Sequence, residues 1–493
     1  MILIKAANII DGTGKPAYRA DILIKGGSIS AIGNFSPKTA SVVIDGLGRT
    51  VTPGFIDVHS DSDHYLTLLN DPGQEDSIRQ GVTTIIGGHC GSSLAPLFYG
   101  SLKSIRKWGD PDTVNVDWHT VREFRGLLKK RGIGVNFATL IGHSTVRRDL
   151  IGDAIRDLTD PELDVFLATI RKAMHEGARG LSTGLGSVHA IHVSYSEVRK
   201  LVSVIAKLGG VYATHLRSER DGIAESVREV LAVAKDTGAR TVISHLRPFR
   251  GNEDEFRRAL AVIDQAPAGT YFDVSPFAFS ILPFYTLLPD WAQYGGFEEM
   301  LGLLYDDLQR PRILAELKAS VSDLAAYRIV DAKGAPSVIG QTLKEFAESR
   351  NLSVLDGFVA LMKRTKMKGM LQAQNIDEPM LTELLFHSKA LIGSNAASFG
   401  EIRSGVRTDR STQTFSRFLE LARQRGLAPE ESIARLTSVP AKAFGLEKRG
   451  VIAEGAAADL VITKDAAIEH VLVNGSFVMR DQQIVHELPG ALV

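Results

Sequence analysis

The sequence predicts an α/β fold in which a (β/α)8 barrel is inserted in a small β-sandwich formed by the N- and C-terminal segments. Three observations predict this architecture. Short alternating apolar segments separated by glycine turns occur at both ends of the chain. Between them, apolar β-type runs alternate with helical stretches, which is typical of βαβ units and a parallel sheet. Three of those runs stop at a cysteine or a histidine, and the carboxyl ends of barrel strands are where catalytic side chains gather.

The two terminal segments, residues 1–52 and 445–493, are predicted to form the sandwich together. Each holds short β-type runs, such as residues 21–25 and 470–474, bounded by glycine turns. Neither end has enough strands for a stable sheet of its own, so we expect the two ends to pair. Residues 53–444 then form one inserted barrel domain.

The middle region holds eight strand candidates, the number that closes a (β/α)8 or TIM barrel. They lie at residues 54–58, 83–88, 135–141, 180–182, 211–213, 242–244, 271–274 and 390–393. Over a hundred residues separate the seventh from the eighth, far more than an ordinary connection needs. We interpret residues 280–385 as an insertion. Its aromatic and aliphatic start fits a lid over the barrel mouth, and equally a satellite core beneath a helical excursion.

Composition narrows the function classes. The 493 residues carry 57 basic and 57 acidic side chains, so no net field gathers polyanions or holds the chain on an anionic membrane. We expect a small-molecule substrate, no nucleic acid, no membrane and a possible homo-oligomer. The N-terminal residues lack the pattern of a signal peptide, and no apolar run approaches the ~20 residues that span a bilayer. With one cysteine and hence no internal disulfide, a cytoplasmic location is expected.

Three side chains at predicted strand ends have the chemistry of zinc ligands. Cys90 closes the second strand candidate, and His215 and His245 follow the fifth and sixth. Thiolate and imidazole are the usual partners of zinc, and three protein ligands leave a fourth position for water. Taken singly, a cysteine is often a small buried hydrophobe and a histidine a core residue. Their shared position at strand ends favours a metal site.

Several motifs resemble those of the amidohydrolase superfamily, and within it the N-acyl-D-amino-acid deacylases, or D-aminoacylases. The narrowest is Cys-Gly-Ser-Ser-Leu-Ala-Pro at residues 90–96. The others are Pro-Gly-Phe-Ile-Asp-Val-His at 53–59, Gln-Gly-Val-Thr-Thr at 80–84, Gly-His-Ser-Thr-Val-Arg at 142–147, and the segments 177–185, 210–217, 243–245, 436–441 and 455–461. The resemblance runs nearly end to end.

The resemblance implies a metal-dependent amidohydrolase acting on non-peptide C–N bonds. Its expected reaction is cleavage of N-acyl-D-amino acids or related linear amides by attack of metal-bound hydroxide. Cys90, His215 and His245 would hold one tightly bound zinc. His59 would remain as the ligand of a second site, which is weakened because the usual His-x-His has become His59-Ser60-Asp61.

The catalytic carboxylate departs from the family pattern. The eighth strand normally ends in Gly-Ser-Asp, but here Asn395 takes the place of the aspartate, and an amide cannot accept a proton from water. We predict that Asp61, at the end of the first strand, replaces it. Asp63 is the alternative. His89 and His143 are further candidates for the same side of the active site.

Substrate recognition is expected to use arginine, which grips a carboxylate through two parallel hydrogen bonds. Arg247 stands where the relatives often have lysine, and Arg410 stands where they have the arginine of His-Pro-Arg. Ser275 lies where a Tyr-Pro-Tyr is typical and is a third candidate.

Two other functions stay open on the sequence alone. One is a cyclic-amide or isoaspartyl-peptide hydrolase, although those relatives generally bridge two metals with a carboxylated lysine, which a cysteine on the second strand disfavours. The other is a catalytically impaired amidohydrolase-like binding protein with a structural zinc, which the pairing of Asn395 with Asp61 motivates.

Overall fold

The computed structural model describes residues 1–99, 102–321, 323–400 and 406–493, and within them places twenty-one β-strands. In chain order they are β1 (Ile2–Ile9), β2 (Tyr18–Lys25), β3 (Ser28–Gly33), β4 (Val42–Asp45), β5 (Thr50–Pro53), β6 (Phe55–Asp57), β7 (Val82–Gly87), β8 (Asn136–Thr139), β9 (Ile141–Gly142), β10 (Gly180–Gly184), β11 (Val211–His215), β12 (Arg240–Ile243), β13 (Thr270–Val274), β14 (Ser280–Pro283), β15 (Arg328–Ala332), β16 (Gly369–Ala373), β17 (Ala390–Ile392), β18 (Leu460–Lys464), β19 (Ala467–Val473), β20 (Ser476–Arg480) and β21 (Gln483–Ile484).

Sixteen α-helices accompany these strands in the described residues. They are α1 (Thr67–Asn70), α2 (Glu75–Arg79), α3 (Val121–Arg131), α4 (His143–Ile151), α5 (Asp160–His175), α6 (Tyr195–Lys207), α7 (Ile223–Thr237), α8 (Glu253–Asp264), α9 (Phe297–Tyr305), α10 (Gln309–Ser320), α11 (Leu343–Glu348), α12 (Val354–Arg364), α13 (Glu378–Leu385), α14 (Asp409–Gln424), α15 (Pro429–Leu436) and α16 (Ser438–Phe444). Of the helices described, none has the length and apolar character needed to cross a bilayer.

Strands from the two ends of the chain share one sheet. Its order is β21-β20-β19-β18-β5-β1-β2-β3, with β4 paired beside β1. The two ends join where β5 runs antiparallel to β18, with Thr52 opposite Val461. Isoleucines and leucines from both ends, including Ile4, Ile22 and Leu460, form one buried cluster. Neither end could bury this surface alone, which is the physical reason for their pairing.

Eight parallel strand positions form the barrel, which confirms the predicted fold class. The sheet β6-β7-β8 and the sheet β9-β10-β11-β12-β13-β17 are linked because a single residue, Leu140, separates β8 from β9. The barrel closes between its first and eighth strands through a parallel bridge from Ser60 to Ala396. Next to it, the backbone N–H of Asn395 donates to the carbonyl of His59 at 2.7 Å.

Side-chain alternation along the strands separates two cores. Ile86 and Val211 pack in a cluster with residues of other barrel strands, whereas their neighbours Ile85 and Tyr212 pack in a cluster with the helices. The period of two is what a strand imposes when both of its faces are buried. Helix α6 shows the matching helical spacing, with Val198, Leu201, Val202 and Ile205 buried.

The insertion between the seventh and eighth strands has a core of its own. Strands β14, β16 and β15 form a three-stranded antiparallel sheet, in that order. With α9 to α12 they bury a separate cluster that includes Phe284, Leu304 and Phe358. Helix α13, within the predicted insertion range, packs instead with the barrel helices through Leu381 and Leu384.

Candidate metal centre and active site

Three site residues adopt a left-handed backbone conformation just past a barrel strand. Their φ angles are +51° for Cys90, +37° for His245 and +46° for Asn395. This conformation costs free energy in residues other than glycine. It recurs at functional sites, where the surrounding structure enforces it. The three loops therefore turn sharply at the carboxyl edge of the barrel.

The loop that carries Cys90 is clamped from both sides. The Ser182 hydroxyl, on β10, donates to the carbonyl of Gly88 and accepts from the N–H of Gly91 at 3.0 Å. Asp63 Oδ2 accepts from the N–H of Gly88 at 2.6 Å. Gly91 has a φ of +78°, and a Cβ there would lie 2.8 Å from Ser144 Oγ. These contacts hold the cysteine in one position.

Cys90, His215 and His245 converge as the sequence predicts. Their ligand atoms all lie within 4.8 Å of one another, and Cys90 Sγ lies 3.3 Å from His245 Nε2. Zinc–sulfur and zinc–nitrogen bonds of about 2.3 and 2.1 Å at tetrahedral angles put such atoms roughly 3.6 Å apart. The donor set and its spacing therefore fit one zinc ion.

Electrostatics favour the thiolate form of Cys90. Burial alone raises the pKa of the thiol, but the charge of His245 and hydrogen bonds from His215, His245 and His59 outweigh burial and hold that pKa well below its ordinary value. The thiolate is the form that binds metal.

Glu219 orients His245 and lies close to His215, and the sequence analysis missed it. Its Oε1 accepts from His245 Nδ1 at 3.0 Å, which leaves Nε2 of that ring for the metal. Its Oε2 lies 3.6 Å from His215 Nε2. Burial raises the pKa of Glu219, but the charge of Arg247 and those of the histidines overcome burial and keep the pKa well below its usual range. Glu219 is thus the carboxylate that fixes a ligating imidazole.

His59 lies beside this centre and is held by Asp273, a second residue the sequence analysis missed. His59 Nδ1 donates to Asp273 Oδ2 at 3.0 Å, and His59 Nε2 points to Cys90 Sγ at 4.0 Å. Asp273 Oδ1 also accepts from the N–H of His245 at 2.9 Å. His89 stacks on the His59 ring with centroids 3.9 Å apart. His59, His89 and Asp273 form a second group whose ligand atoms could hold a metal.

Asp61 and Asn395 meet next to His59. Asn395 Nδ2 donates to Asp61 Oδ2 at 3.1 Å and lies 3.4 Å from His59 Nε2. On its other side, Asp61 Oδ1 accepts from His64 Nδ1 at 3.0 Å. His64 Nε2 lies 3.1 Å from the carbonyl of Ser92. Because both ring nitrogens of His64 face acceptors, the ring is an imidazolium.

The pKa values of this buried pair move in opposite directions. Burial alone lowers the pKa of His64, but Asp63 and Asp61 outweigh burial and raise it to about 9. Burial raises the pKa of Asp61, but the hydrogen bond and charge of His64 lower it to about 2. Asp61 is therefore ionised at neutral pH.

Two of the other candidates, Asp63 and His143, have structural partners. Asp63 holds the loop of Cys90 through the N–H of Gly88. His143 Nε2 lies 2.8 Å from Glu197, which also accepts from Arg147 at 3.2 Å. Of the two aspartates weighed from the sequence, Asp61 is the one that lines the cavity described next.

A cavity of about 380 Å³ opens onto the candidate metal ligands. Cys90, His215, His245, Asp61 and Asn395 form its floor, and the insertion lines it with residues between 281 and 300. The insertion thus has its own core and also lines the mouth of the barrel. It combines features of the satellite core and of the lid that its sequence allowed. Tyr285, on this wall, brings a phenolic hydroxyl from the insertion.

The three predicted substrate-binding residues lie in different places. Arg247 lines the cavity, and its Nη2 donates to Glu219 at 2.9 and 2.8 Å. Arg410 lines an adjoining cavity of about 60 Å³ and donates to the carbonyls of Ser394 and Asn395 at 3.0 and 2.6 Å. Ser275 is not among the described residues that line either cavity.

An eight-stranded parallel barrel with one thiolate and two imidazoles at its carboxyl edge defines a metal-dependent hydrolase of the barrel type. Two models described as the amidohydrolase family match this chain, at residues 42–268 and 388–478. The chain belongs to the amidohydrolase family.

Several relatives match along the whole chain. It is 29% identical over 512 residues to a D-aminoacylase of Alcaligenes xylosoxydans xylosoxydans, a match that covers 100% of this chain and 97% of the relative. The crystal structure of an N-acyl-D-glutamate deacylase from Bordetella bronchiseptica, complexed with zinc and a phosphonate mimic of the tetrahedral intermediate, is 27% identical, has a TM-score of 0.81, and is matched over 100% of this chain and 98% of that one. A D-aminoacylase structure described by its binuclear metal centre has a TM-score of 0.78 at 27% identity, with 100% and 99% covered.

Proposed function

We propose that the protein is a zinc-dependent hydrolase that cleaves the amide bond of N-acyl-D-amino acids or related linear amides. The observation that carries this proposal is the convergence of Cys90, His215 and His245 within 4.8 Å at the floor of a cavity. The full-length similarity to D-aminoacylase and to N-acyl-D-glutamate deacylase supports the substrate class.

One tightly bound zinc is proposed at the three residues. Zinc held there supplies Lewis-acid chemistry, since it polarises a carbonyl and makes water more acidic. Glu219 keeps Nε2 of His245 directed into the site. The second group, His59 with His89 and Asp273, is proposed to bind metal more weakly, because His59 Nδ1 and the N–H of His245 already donate to the Asp273 carboxylate.

Asp61 is proposed to move the proton. It lines the cavity beside Cys90, it is ionised at neutral pH, and the amide of Asn395 restrains its Oδ2. In that role it accepts a proton from the attacking water and returns it to the leaving amine nitrogen. Proton transfer, which the family assigns to an aspartate after the eighth strand, is thereby assigned to Asp61 after the first strand.

Arg247 is proposed to bind the α-carboxylate of the substrate. Glu219 occupies only its Nη2, and the buried Nε has no partner among the described residues. The guanidinium therefore keeps donors for a second carboxylate. Arg410 is proposed to position other residues rather than to bind the substrate. Its hydrogen bonds to the carbonyls of Ser394 and Asn395 hold the loop after the eighth strand, and this loop directs the Asn395 amide to Asp61.

Turnover of matched substrates by zinc-loaded protein tests the proposal. The panel contains N-acetyl D- and L-amino acids, hydantoins and β-aspartyl dipeptides. We expect hydrolysis of the D-series with little of the L-series. A preference for hydantoins or β-aspartyl dipeptides would assign the cyclic-amide or isoaspartyl alternative. Failure to hydrolyse any of the panel would favour a binding protein that keeps zinc for structure.

A further inference from the structure

The wall of the cavity beside the metal ligands carries a cluster of cations that the proposed function has not used. Arg106 and Lys107 follow a short 3-10 helix, Lys103–Ile105, and Arg148 lies on α4. All three line the same cavity as Cys90 and Asp61. Their charges act on one another: burial lowers the pKa of Arg148, the charge of Asp153 opposes this shift, and the charge of Arg106 adds to it.

Two of these cations form no ion pair with a carboxylate among the described residues. Within the part of the chain that the structure describes, no carboxylate lies within 4.0 Å of the Lys107 ammonium or the Arg106 guanidinium. Lys107 Nζ sits instead 3.8 Å from the ring centroid of Trp108, which itself stacks on His64 at 4.2 Å. Arg148 Nε lies 2.9 Å from Asp153. Arg148 is therefore paired with Asp153, whereas Lys107 is held by the Trp108 ring rather than by an ion pair.

The carboxylates of the cavity do not balance these charges. Among the described lining residues they are Asp61, Glu219 and Asp290. Asp61 is bound to His64 and Asn395, and Glu219 to His245 and Arg247. Burial lowers the pKa of Lys107 to about 8; the charge of Cys90 and that of Asp61 oppose the shift, and the charge of Arg148 adds to it. A ligand that brings negative charge would relieve this repulsion.

We propose that Arg106, Lys107 and Arg148 form an anion subsite for a second carboxylate of the substrate, distinct from the α-carboxylate at Arg247. This inference rests on the proposed function. The second carboxylate has two sources, the side chain of the amino acid or the far end of the acyl group. Either places a charge at this wall while the scissile amide lies over the metal ligands.

Matched substrate pairs that differ by one charge test the subsite. N-acetyl-D-glutamate against N-acetyl-D-glutamine probes the side chain, and N-succinyl-D-leucine against N-butyryl-D-leucine probes the acyl group. We expect kcat/KM to favour the charged member of at least one pair by tenfold or more. The pair that shows the preference identifies the source. Equal values in both pairs would overturn the proposal without using any variant.

Variants then locate the effect. Lys107→Met and Arg106→Met are expected to reduce the preference at least fivefold, whereas Lys129→Met, which removes an exposed lysine of α3, leaves it in place. A preference that persists in both cavity variants would overturn the assignment to these residues.

Binding to metal-free protein separates this inference from the proposed function. Calorimetry compares N-acetyl-D-glutamate with N-acetyl-D-glutamine, and N-succinyl-D-leucine with N-butyryl-D-leucine. If the zinc-loaded enzyme hydrolyses none of them, tighter binding of a charged member that is lost in Lys107→Met supports the subsite while the hydrolase proposal fails. No charge-dependent binding in either pair would overturn the subsite as well.

Discussion

Asn395 Nδ2 donates a hydrogen bond to Asp61 Oδ2 across 3.1 Å, which joins the carboxyl ends of the first and eighth barrel strands. The two strands are already neighbours through the bridge from Ser60 to Ala396. A carboxylate at the end of either strand therefore lies at a similar distance from the candidate metal ligands. This adjacency explains how an asparagine at the eighth strand is compatible with hydrolysis.

Exchanging the two side chains tests this relationship. Asp61→Asn alone should lower kcat by roughly 10²–10⁴-fold, the usual effect of losing a general acid or base. Adding Asn395→Asp should recover at least tenfold, because the carboxylate returns to the other side of the same hydrogen bond. Steady-state kinetics with N-acetyl-D-amino acids measure both steps. Asp63→Asn tests the alternative carboxylate: asparagine can still accept from the N–H of Gly88, although the variant also removes one charge that stabilises the His64 imidazolium. A larger loss in Asp63→Asn than in Asp61→Asn would contradict the assignment.

Replacing Glu219 should weaken zinc binding without unfolding the protein. Glu219→Gln removes the charged acceptor of the 3.0 Å hydrogen bond that His245 Nδ1 donates. Loss of such a partner typically costs 10–100-fold in metal affinity. Competition with a chelator of known affinity measures it, and thermal unfolding of the metal-free protein checks the fold. Glu225→Gln, at an exposed position on α7, is the control. Equal zinc affinity in the two variants would show that Glu219 does not orient the ligand.

The buried pair of His64 and Asp61 predicts a pH dependence of stability. The folded pKa of His64 is about 9, above the unfolded value near 6.5, so its contribution is fully present below pH 6.5 and is lost as pH rises through 9. The Asp61 contribution is lost only as pH falls through about 2. The difference in unfolding free energy between the metal-free protein and His64→Gln should therefore shrink by about 3 kcal/mol between pH 6 and pH 10. Urea unfolding at the two pH values measures this difference, and a constant difference would contradict the imidazolium assignment.

Cys90→Ala should abolish stoichiometric zinc. The variant removes the only thiolate and leaves two imidazoles, which is one ligand fewer than a catalytic zinc site normally has. Zinc per chain, measured by atomic emission after dialysis, is expected to fall from near one to a small fraction. Far-UV circular dichroism of wild type and variant checks that the barrel is retained. Unchanged zinc content would remove Cys90 from the centre.

The parts of this site that the sequence predicts are those fixed by strand ends. Cys90, His215 and His245 each close an apolar run, and a parallel barrel brings such ends to one edge. Asp61 could be predicted as a site residue for the same reason, since it follows the end of the first strand. Asp273 could also have been found, since it is a carboxylate inside the apolar run of β13. A buried charge at such a position requires a partner.

Other residues lie beyond what local pattern determines. Glu219 is four residues past the end of β11, and its signal, an acid between arginines, is also that of a solvated loop. The cations at 106, 107 and 148 come from two connections whose paths depend on packing of the whole barrel. Tyr285 reaches the cavity only because the insertion folds around its own core and returns to the barrel mouth.

A zinc-edge anomalous difference map of zinc-loaded crystals tests the central claim most directly. The account predicts a strong peak about 2.3 Å from Cys90 Sγ and about 2.1 Å from a ring nitrogen of His215 and from His245 Nε2. No peak at these three residues, or a peak bound elsewhere with Cys90 Sγ beyond bonding distance, would contradict it.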